Sequence, residues 1–270
     1  MDSSDTEEET NNTLPDLTRR DLGIGLSSLL AGASVGYFGR QYRLEQSRTY
    51  DQISDTVRQD YENAGDLPLS IGSRPKYGEL SSPIRIFYWV DFQCPYCYRF
   101  NSEIFPQIVE EYIETGEAVI IFKPITLFGQ QSRETAVGSH AVYDLGIGRD
   151  YVNWKQEIMD YYHNNEEDLP DDWASPIKLR NFANNYGIDG DEYVSYIGSN
   201  RSDKLLPRVN KDERDYNTWG PDAVQTPFFL IYDSRDIEPE TLIGAQPFRE
   251  FEKVIESVRV TEGESESNEN

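Results

Sequence analysis

Cysteine is nearly absent from this chain. Its 270 residues include two cysteines, Cys94 and Cys97, and two histidines, His140 and His163. Two cysteines with only two residues between them cannot form the disulfide framework of a small secreted domain. A zinc site usually takes four nitrogen or sulfur ligands, and the two histidines lie too far apart for the usual spacing. We therefore expect no metal site and no other cofactor.

Positive charge is also scarce. Lysine and arginine together number 25 against 49 aspartates and glutamates, which gives a formal net charge of −24. Such a chain repels nucleic acid phosphates and anionic membrane surfaces, so we expect no nucleic acid partner. Disorder is one interpretation, but apolar and aromatic runs persist through the middle of the sequence. They favour a folded protein adapted to concentrated salt, where the Debye length falls to about 3 Å at 1 M. The composition resembles that of proteins from salt-loving archaea.

The N-terminal 39 residues have the pattern of an export signal. Residues 1–18 are acidic and polar, Arg19 and Arg20 follow as a pair, and residues 22–39 carry no charge. This order resembles a twin-arginine signal and predicts an extracytoplasmic protein. The alternative is a chance arginine pair before a buried helix. Residues 31–33 fit an A-x-A cleavage site, but the uncleaved apolar stretch could just span a membrane as an anchor. The sequence leaves both outcomes open.

Residues 40–79 are expected to be a linker, and the folded domain is predicted at 80–260. The β-branched and aromatic runs at 84–90 and 118–122 predict two buried strands. Between them, Phe100, Ile104, Ile108 and Tyr112 recur every four residues, which indicates a helix. Strand, helix and strand at this spacing predict a parallel βαβ unit.

Helical periodicity then dominates residues 132–206. Two further strands are predicted at 228–232 and 241–244, followed by an amphipathic helix over 247–258. The acidic tail, residues 261–270, is expected to be disordered. The chain is thus predicted to be an α/β protein.

The sequence Cys94-Pro95-Tyr96-Cys97 carries the chemistry. A C-x-x-C that opens a helix within a βαβ unit is the thioredoxin-like redox signature. Unpaired N–H groups and the helix dipole stabilise an anion at the helix N-terminus, and the thiolate is the reactive form of cysteine. Cys94 is therefore expected to attack and Cys97 to resolve the mixed disulfide. Pro95 suits the first helical position, and Tyr96 is expected to shape access.

Four segments in order, DFQCPYCYRFNSEIFPQIVEEYIETG, IIFKPITL, QTPFFLI and LIGAQPFREFEKVIE, resemble the DsbA-like branch of the thioredoxin superfamily. With the acidic composition, the resemblance is to members of haloarchaeal type. It covers about residues 80–260. It implies a thioredoxin fold with an inserted helical domain, and residues 132–206 fall where that insertion is expected.

The resemblance also implies a cis-proline loop that binds substrate opposite the active site, formed here by Thr226 and Pro227. Asp91 and Lys123 are candidate tuning residues, because a buried carboxylate can accept the proton of the resolving cysteine and an ammonium can steady that charge. The alternative roles are a turn former and a strand-end charge. Many relatives carry a glutamate in the first strand where this chain has Tyr88.

These features predict a thiol–disulfide oxidoreductase, an enzyme that donates disulfides to exported proteins. The expected partners are cysteine-containing exported substrates and a membrane redox protein that reoxidises the pair, and the protein itself is expected to be a monomer. Two alternatives remain at this point. One is a disulfide reductase or isomerase, and the other is a chaperone-like binding protein with the same fold.

Overall fold

The computed structural model describes residues 69, 71–146 and 148–260. The twin-arginine pair Arg19 and Arg20, the predicted signal around it, most of the expected linker and the acidic tail lie outside the described residues. Within the described part of the chain, no helix combines the length and the apolar character needed to cross a membrane.

The domain is built on one mixed five-stranded sheet. Its strands are β1 (Lys76–Tyr77), β2 (Ile84–Val90), β3 (Ala118–Pro124), β4 (Phe228–Asp233) and β5 (Asp236–Ile243). Their spatial order is β1-β3-β2-β4-β5. β2 and β3 run parallel, whereas the other three pairs are antiparallel. The predicted parallel pair is confirmed, and the α/β class with it.

One helical run, α1, connects β2 to β3 over residues 95–113. It consists of the α-helical segments Pro95–Arg99 and Phe105–Ile108, which alternate with the π-helical turns Phe100–Ile104 and Val109–Ile113. Pro106 lacks an N–H group, so it removes one backbone hydrogen bond from the helix. The wide π turn before it accommodates the missing hydrogen bond, because π turns commonly interrupt helices at such positions.

Five helices lie between β3 and β4. They are α2 (Gln130–Leu145), α3 (Gly148–Asn165), α4 (Pro176–Asn184), α5 (Gly190–Asn200) and α6 (Leu206–Trp219), with a π-helical turn, Arg201–Leu205, leading directly into α6. The helical part therefore continues to Trp219, past the predicted end near residue 206. A last helix, α7 (Phe248–Val258), follows β5 and completes the domain.

The pleat of the central strand separates two cores. Ile86, Tyr88 and Val90 belong to the cluster that packs with α1, α3 and α7. Phe87 and Trp89 point to the opposite face, because successive strand residues alternate. There the Trp89 indole donates a hydrogen bond of 2.9 Å to the carbonyl oxygen of Asp212 in α6.

A buried ion cluster joins α6 to this second face. The Lys123 ammonium lies 3.2 Å from Asp212 and 2.5 Å from Asp215, and the Arg74 guanidinium lies 2.9 Å from Asp212. Lys123 and Asp212 are fully buried. Removing one member of such a buried pair costs about 3–5 kcal/mol, because the other charge is left without a partner.

Candidate active site

The two cysteines lie at the start of α1, where β2 ends. Cys94 is the residue that caps the helix, and Pro95 occupies the first turn. Both cysteines are free thiols, with 3% of Cys94 and none of Cys97 exposed. The backbone N–H of Cys94 donates to the Asp91 carbonyl at 3.1 Å, which fixes the turn between strand and helix. Cys94 is thus the outer sulfur and Cys97 the inner one.

The environment of Cys94 favours its thiolate. A hydrogen bond from Cys97 is the largest cause that lowers the Cys94 pKa from 9.0 to about 6, against the opposing effect of burial. The Thr226 side chain and the backbone N–H groups of Cys97 and Tyr96 add to the lowering. These N–H groups are two of the unpaired donors of the helix N-terminus. At neutral pH, Cys94 is therefore mainly a thiolate, which is the nucleophilic form of cysteine.

Cys97 has the opposite character. Burial is the largest cause that raises the pKa of its thiol well above 9.0, and the hydrogen bond to Cys94 and the charge of Cys94 raise it further. The inner thiol therefore keeps its proton while the outer sulfur is ionised. This division corresponds to one attacking and one resolving sulfur.

Thr226 and Pro227 face the outer sulfur. Their peptide bond is cis, the isomer that the resemblance implies. When Cys94 is protonated, its thiol donates a hydrogen bond of 3.4 Å to the Thr226 carbonyl oxygen. Pro227 has no N–H group, but its carbonyl oxygen accepts a hydrogen bond of 2.7 Å from Gly244. The loop before β4 is thereby held against the reactive sulfur.

Exposed apolar side chains are carried by the active-site turn, the segment before Thr226 and the loop after β3, which Asp91 ties to that turn. Tyr96 follows the sulfur directly, Val224 lies two residues before Thr226, and Leu127 and Phe128 lie in the loop after β3. Each of these four side chains is at least 37% exposed. A polypeptide in extended conformation would find both apolar contacts and backbone partners in this region.

Asp91 organises the same region from beneath. Its carboxylate accepts hydrogen bonds from the Leu127 N–H at 2.6 Å, the Gln93 N–H at 2.8 Å and the Ser132 hydroxyl at 3.0 Å. Burial is the main cause that raises its pKa, partly offset by these donors. The carboxylate therefore ties the loop after β3 to the active-site turn.

The structure does not place the side chains of Asp91 and Lys123 beside the sulfurs. Asp91 contacts Cys97 through its backbone, and its carboxylate is occupied by the three donors just described. Lys123 projects to the second face of the sheet, because its neighbour Phe122 faces the cysteines. Its ammonium is held by Asp212 and Asp215. The suggested tuning role of these two residues stays a prediction without a contact that supports it.

A different polar group lies behind Cys97. Asn101 donates from Nδ2 to the Tyr88 hydroxyl at 3.0 Å and to the Cys97 carbonyl at 2.8 Å. Its Oδ1 accepts a hydrogen bond from Lys155 Nζ. In the sequence, Tyr88 stands out only as a departure from relatives, and neither Asn101 nor Lys155 belongs to a recognised motif. The signal was present, since Lys155 interrupts the apolar face of α3 formed by Tyr151, Ile158, Met159 and Tyr162.

Among the described residues, no group of three or more histidine, cysteine, aspartate or glutamate side chains could hold a metal ion.

Comparison with known proteins agrees with this geometry. A family model described as thioredoxin matches residues 71–255. Among curated proteins, the disulfide bond formation protein D of Bacillus subtilis is 29% identical over 120 residues, which is 42% of this chain and 49% of that protein. A probable disulfide bond formation protein D of Bacillus cereus is 21% identical over 120 residues, covering 44% of this chain and 56% of the relative. The chain thus matches about half the length of these relatives.

Solved structures show the same fold over more of the chain. Oxidised BdbD from Bacillus subtilis superposes with a TM-score of 0.56 at 22% identity, covering 70% of this chain and 94% of the other. Alpha-DsbA1 of Wolbachia pipientis gives 0.59 at 22% identity, with coverages of 72% and 94%. The DsbA of Chlamydia trachomatis gives 0.57 at 22% identity, with coverages of 72% and 95%. A thioredoxin fold with a helical insertion accounts for all three likenesses.

Proposed function

The chain belongs to the thioredoxin family, and from this membership we propose that it is a protein disulfide oxidoreductase that donates disulfides to exported proteins. The observation that carries the proposal is the Cys94 thiol at the start of α1. Its pKa is lowered to about 6, and the second cysteine, Cys97, is fully buried. Curated relatives are named for disulfide bond formation, which agrees with it.

The proposed reaction starts from a Cys94–Cys97 disulfide. A substrate thiolate attacks Cys94 Sγ, a mixed disulfide forms, and Cys97 leaves with the electron pair of the broken bond and takes up a proton. A second substrate thiolate then attacks the substrate sulfur of the mixed disulfide, and Cys94 leaves as a thiolate. The substrate loses two electrons and gains a disulfide, while the protein pair is reduced to a thiolate and a thiol.

The low pKa of Cys94 favours this direction over reduction. A disulfide is oxidising to the extent that its reduced form is stabilised, and each unit of pKa lowering contributes about 1.4 kcal/mol to the reduced form. Cys94 is also a good leaving group in the second step, because a thiol of low pKa departs faster.

The substrates are proposed to be cysteine-containing exported polypeptides. The exposed Tyr96, Phe128 and Val224 offer apolar contacts beside Cys94, which suits unfolded chains better than small thiols. Export of the protein itself rests on Arg19 and Arg20. One turnover leaves the pair reduced, so we propose that a membrane redox partner reoxidises it. The protein itself is proposed to work as a monomer.

Equilibration of the Cys94–Cys97 pair against glutathione buffers in molar salt tests the proposal. An oxidant becomes reduced in mildly reducing buffer, and a Cys94→Ser variant, which cannot form the disulfide, serves as the control. A pair that stays oxidised in strongly reducing buffer would replace the donor function by a reductase function. Refolding assistance that is unchanged in Cys94→Ser, without any thiol exchange by the wild type, would instead establish a chaperone-like binder.

A further inference from the structure

The loop between β3 and α2 presents two exposed apolar residues and is anchored at each of four successive positions. Leu127 is 37% exposed and Phe128 is 52% exposed. Just before them, the Ile125 N–H donates to a carbonyl oxygen at the end of β2 at 2.9 Å, and the Thr126 hydroxyl donates to the Glu213 carboxylate of α6. Surface loops are usually mobile, so a loop held at every residue calls for a reason that a simple connection does not need.

The Asp91 carboxylate anchors the first of the two apolar residues. It is fully buried, and in the part of the chain that the structure describes it forms no ion pair. Its Oδ2 accepts a hydrogen bond of 2.6 Å from the Leu127 N–H, whereas its Oδ1 accepts one of 2.8 Å from the Gln93 N–H. A carboxylate offers acceptors only, so each of its oxygens can bind the backbone of a different segment. One oxygen thus serves the loop and the other serves the turn that leads to Cys94.

Ser132, in the first turn of α2, anchors the second apolar residue. Its hydroxyl oxygen accepts the Phe128 N–H at 3.2 Å and lies 3.0 Å from Asp91 Oδ1 and 2.9 Å from Gln93 Oε1. Gln93 directly precedes Cys94 in the chain. The hydrogen bonds therefore fix the exposed loop relative to the segment that carries the reactive sulfur.

We propose that Asp91 is a positioning residue for polypeptide substrates, which holds Leu127 and Phe128 where they contact an apolar side chain beside the substrate cysteine. The inference rests on the proposed disulfide donation and names the substrate feature that this site favours. A loop that is already fixed loses little conformational entropy when the substrate binds, so the substrate binds more tightly. The Asp91 carboxylate is occupied by its donors and not by a sulfur, so its effect belongs to substrate binding rather than to sulfur exchange.

The same loop distinguishes polypeptides from small thiols. An aromatic side chain that packs on Phe128 and Leu127 removes apolar surface from water, which favours binding. A small dithiol such as dithiothreitol has no side chain to place there and gains nothing from the loop. Such a contact discriminates between substrates by the part of the substrate that does not react.

The test measures how fast the oxidised full chain is reduced in molar salt by two reduced peptides of equal length and by dithiothreitol. Each peptide has two cysteines. In one peptide a tryptophan precedes the first cysteine, and in the other a serine takes its place. Acid quenching and mass spectrometry give the maximal rate and the peptide concentration at half of that rate. For the wild type, the half-maximal concentration of the tryptophan peptide should be lower by at least about fivefold.

Asp91→Asn keeps the size of the side chain but has a single acceptor oxygen, which cannot serve both the Leu127 and the Gln93 N–H groups. The half-maximal concentration of the tryptophan peptide should rise by at least about fivefold, while the maximal rate and the rate with dithiothreitol change by less than about twofold. Ser132→Ala frees the Phe128 N–H from the other side of the loop and should give the same division. It decides the matter where Asp91→Asn folds poorly.

Phe128→Ala identifies the route by which Asp91 acts. It should raise the half-maximal concentration by a similar factor, and adding Asp91→Asn to it should cause little further change, because residues that act through one contact are not additive. Ile177→Ala is the matched control, since it removes a side chain that is 61% exposed on α4 and should leave every rate unchanged.

Three results would overturn the inference while leaving the proposed function in place. They are equal half-maximal concentrations of the two peptides in the wild type, losses in Asp91→Asn that are as large with dithiothreitol as with the tryptophan peptide, and factors that multiply in the double variant. A wild type that stays oxidised with both peptides and with dithiothreitol would overturn the proposed function as well.

Discussion

Replacing Cys97 by alanine should raise the pKa of Cys94. The hydrogen bond from Cys97 is the largest cause of the low Cys94 pKa, and alanine removes it without adding bulk. A hydrogen bond to a charged group contributes about 1.5–3 kcal/mol, and one pKa unit corresponds to 1.36 kcal/mol. The pKa should therefore rise by about 1–2 units, to between about 7 and 8. At pH 7 the thiolate fraction then falls from about nine-tenths to between about one half and one tenth.

The rate of Cys94 alkylation by iodoacetamide, measured against pH in molar salt, reports this pKa. Cys97→Ser is the matched control, because its hydroxyl still donates to the Cys94 thiolate and should keep the pKa near 6. Thiolate absorbance in the ultraviolet gives the same midpoint by an independent route. Equal pKa values in the alanine and serine variants would refute the reasoning and assign the lowering to the helix N-terminus and Thr226 alone.

Three further outcomes follow from the sequence and the site. Cys97→Ser should accumulate mixed disulfides with substrates while Cys94→Ser should not, because Cys94 is the outer, ionised sulfur. Electrophoresis without reductant detects these mixed disulfides, and trapping by Cys94→Ser alone would reverse the two roles. Replacing Arg19 and Arg20 by lysine should retain the protein in the cytosol, as cell fractionation can measure; undiminished export would remove the twin-arginine interpretation. The melting temperature should rise steeply between low and molar salt because of the net charge of −24, and a salt-independent value would contradict the predicted salt adaptation.

The strands that build the centre of the sheet could be predicted from their residues. β2 and β4 are buried throughout or nearly so, and their short apolar runs, rich in β-branched and aromatic residues, favour a strand over a buried helix segment. β5 was predicted only from residue 241, although it begins at Asp236. Its first half is an edge strand whose side chains alternate between exposed and half-buried, so the apolar run that identifies a strand is missing.

Helix α6 was missed for a different reason. Its sequence is highly charged, and the positions it buries include Arg208, Asp212 and Asp215 beside the apolar or aromatic Val209, Tyr216 and Trp219, so charges interrupt the apolar stripe. The partners that make these charges tolerable, Arg74 and Lys123, are distant in sequence. Hydrophobic periodicity cannot reveal a helix that packs through ion pairs.

The candidate site shows the same limit. Cys94 and Cys97 can be predicted because their motif depends on local order in the chain, whereas Pro227 is implied by the family resemblance. Lys155 and Asn101 contact each other only because α3 packs on α1, and no local pattern specifies that contact. A charged residue on an otherwise apolar helical face is the one sequence signal that pointed to it.

The ion cluster between α6 and the sheet gives the molecule two electrostatic regimes that respond differently to the surrounding solution. Counter-ions reach the acidic exterior and weaken its repulsion, but they do not enter the space that encloses Lys123 and Asp212. Lowering the salt concentration therefore strengthens the repulsion between the exposed carboxylates, while the buried ion pairs that hold α6 keep their strength. At low salt, unfolding should therefore begin at the surface of the protein, and α6 and β3 should be among the last elements to separate.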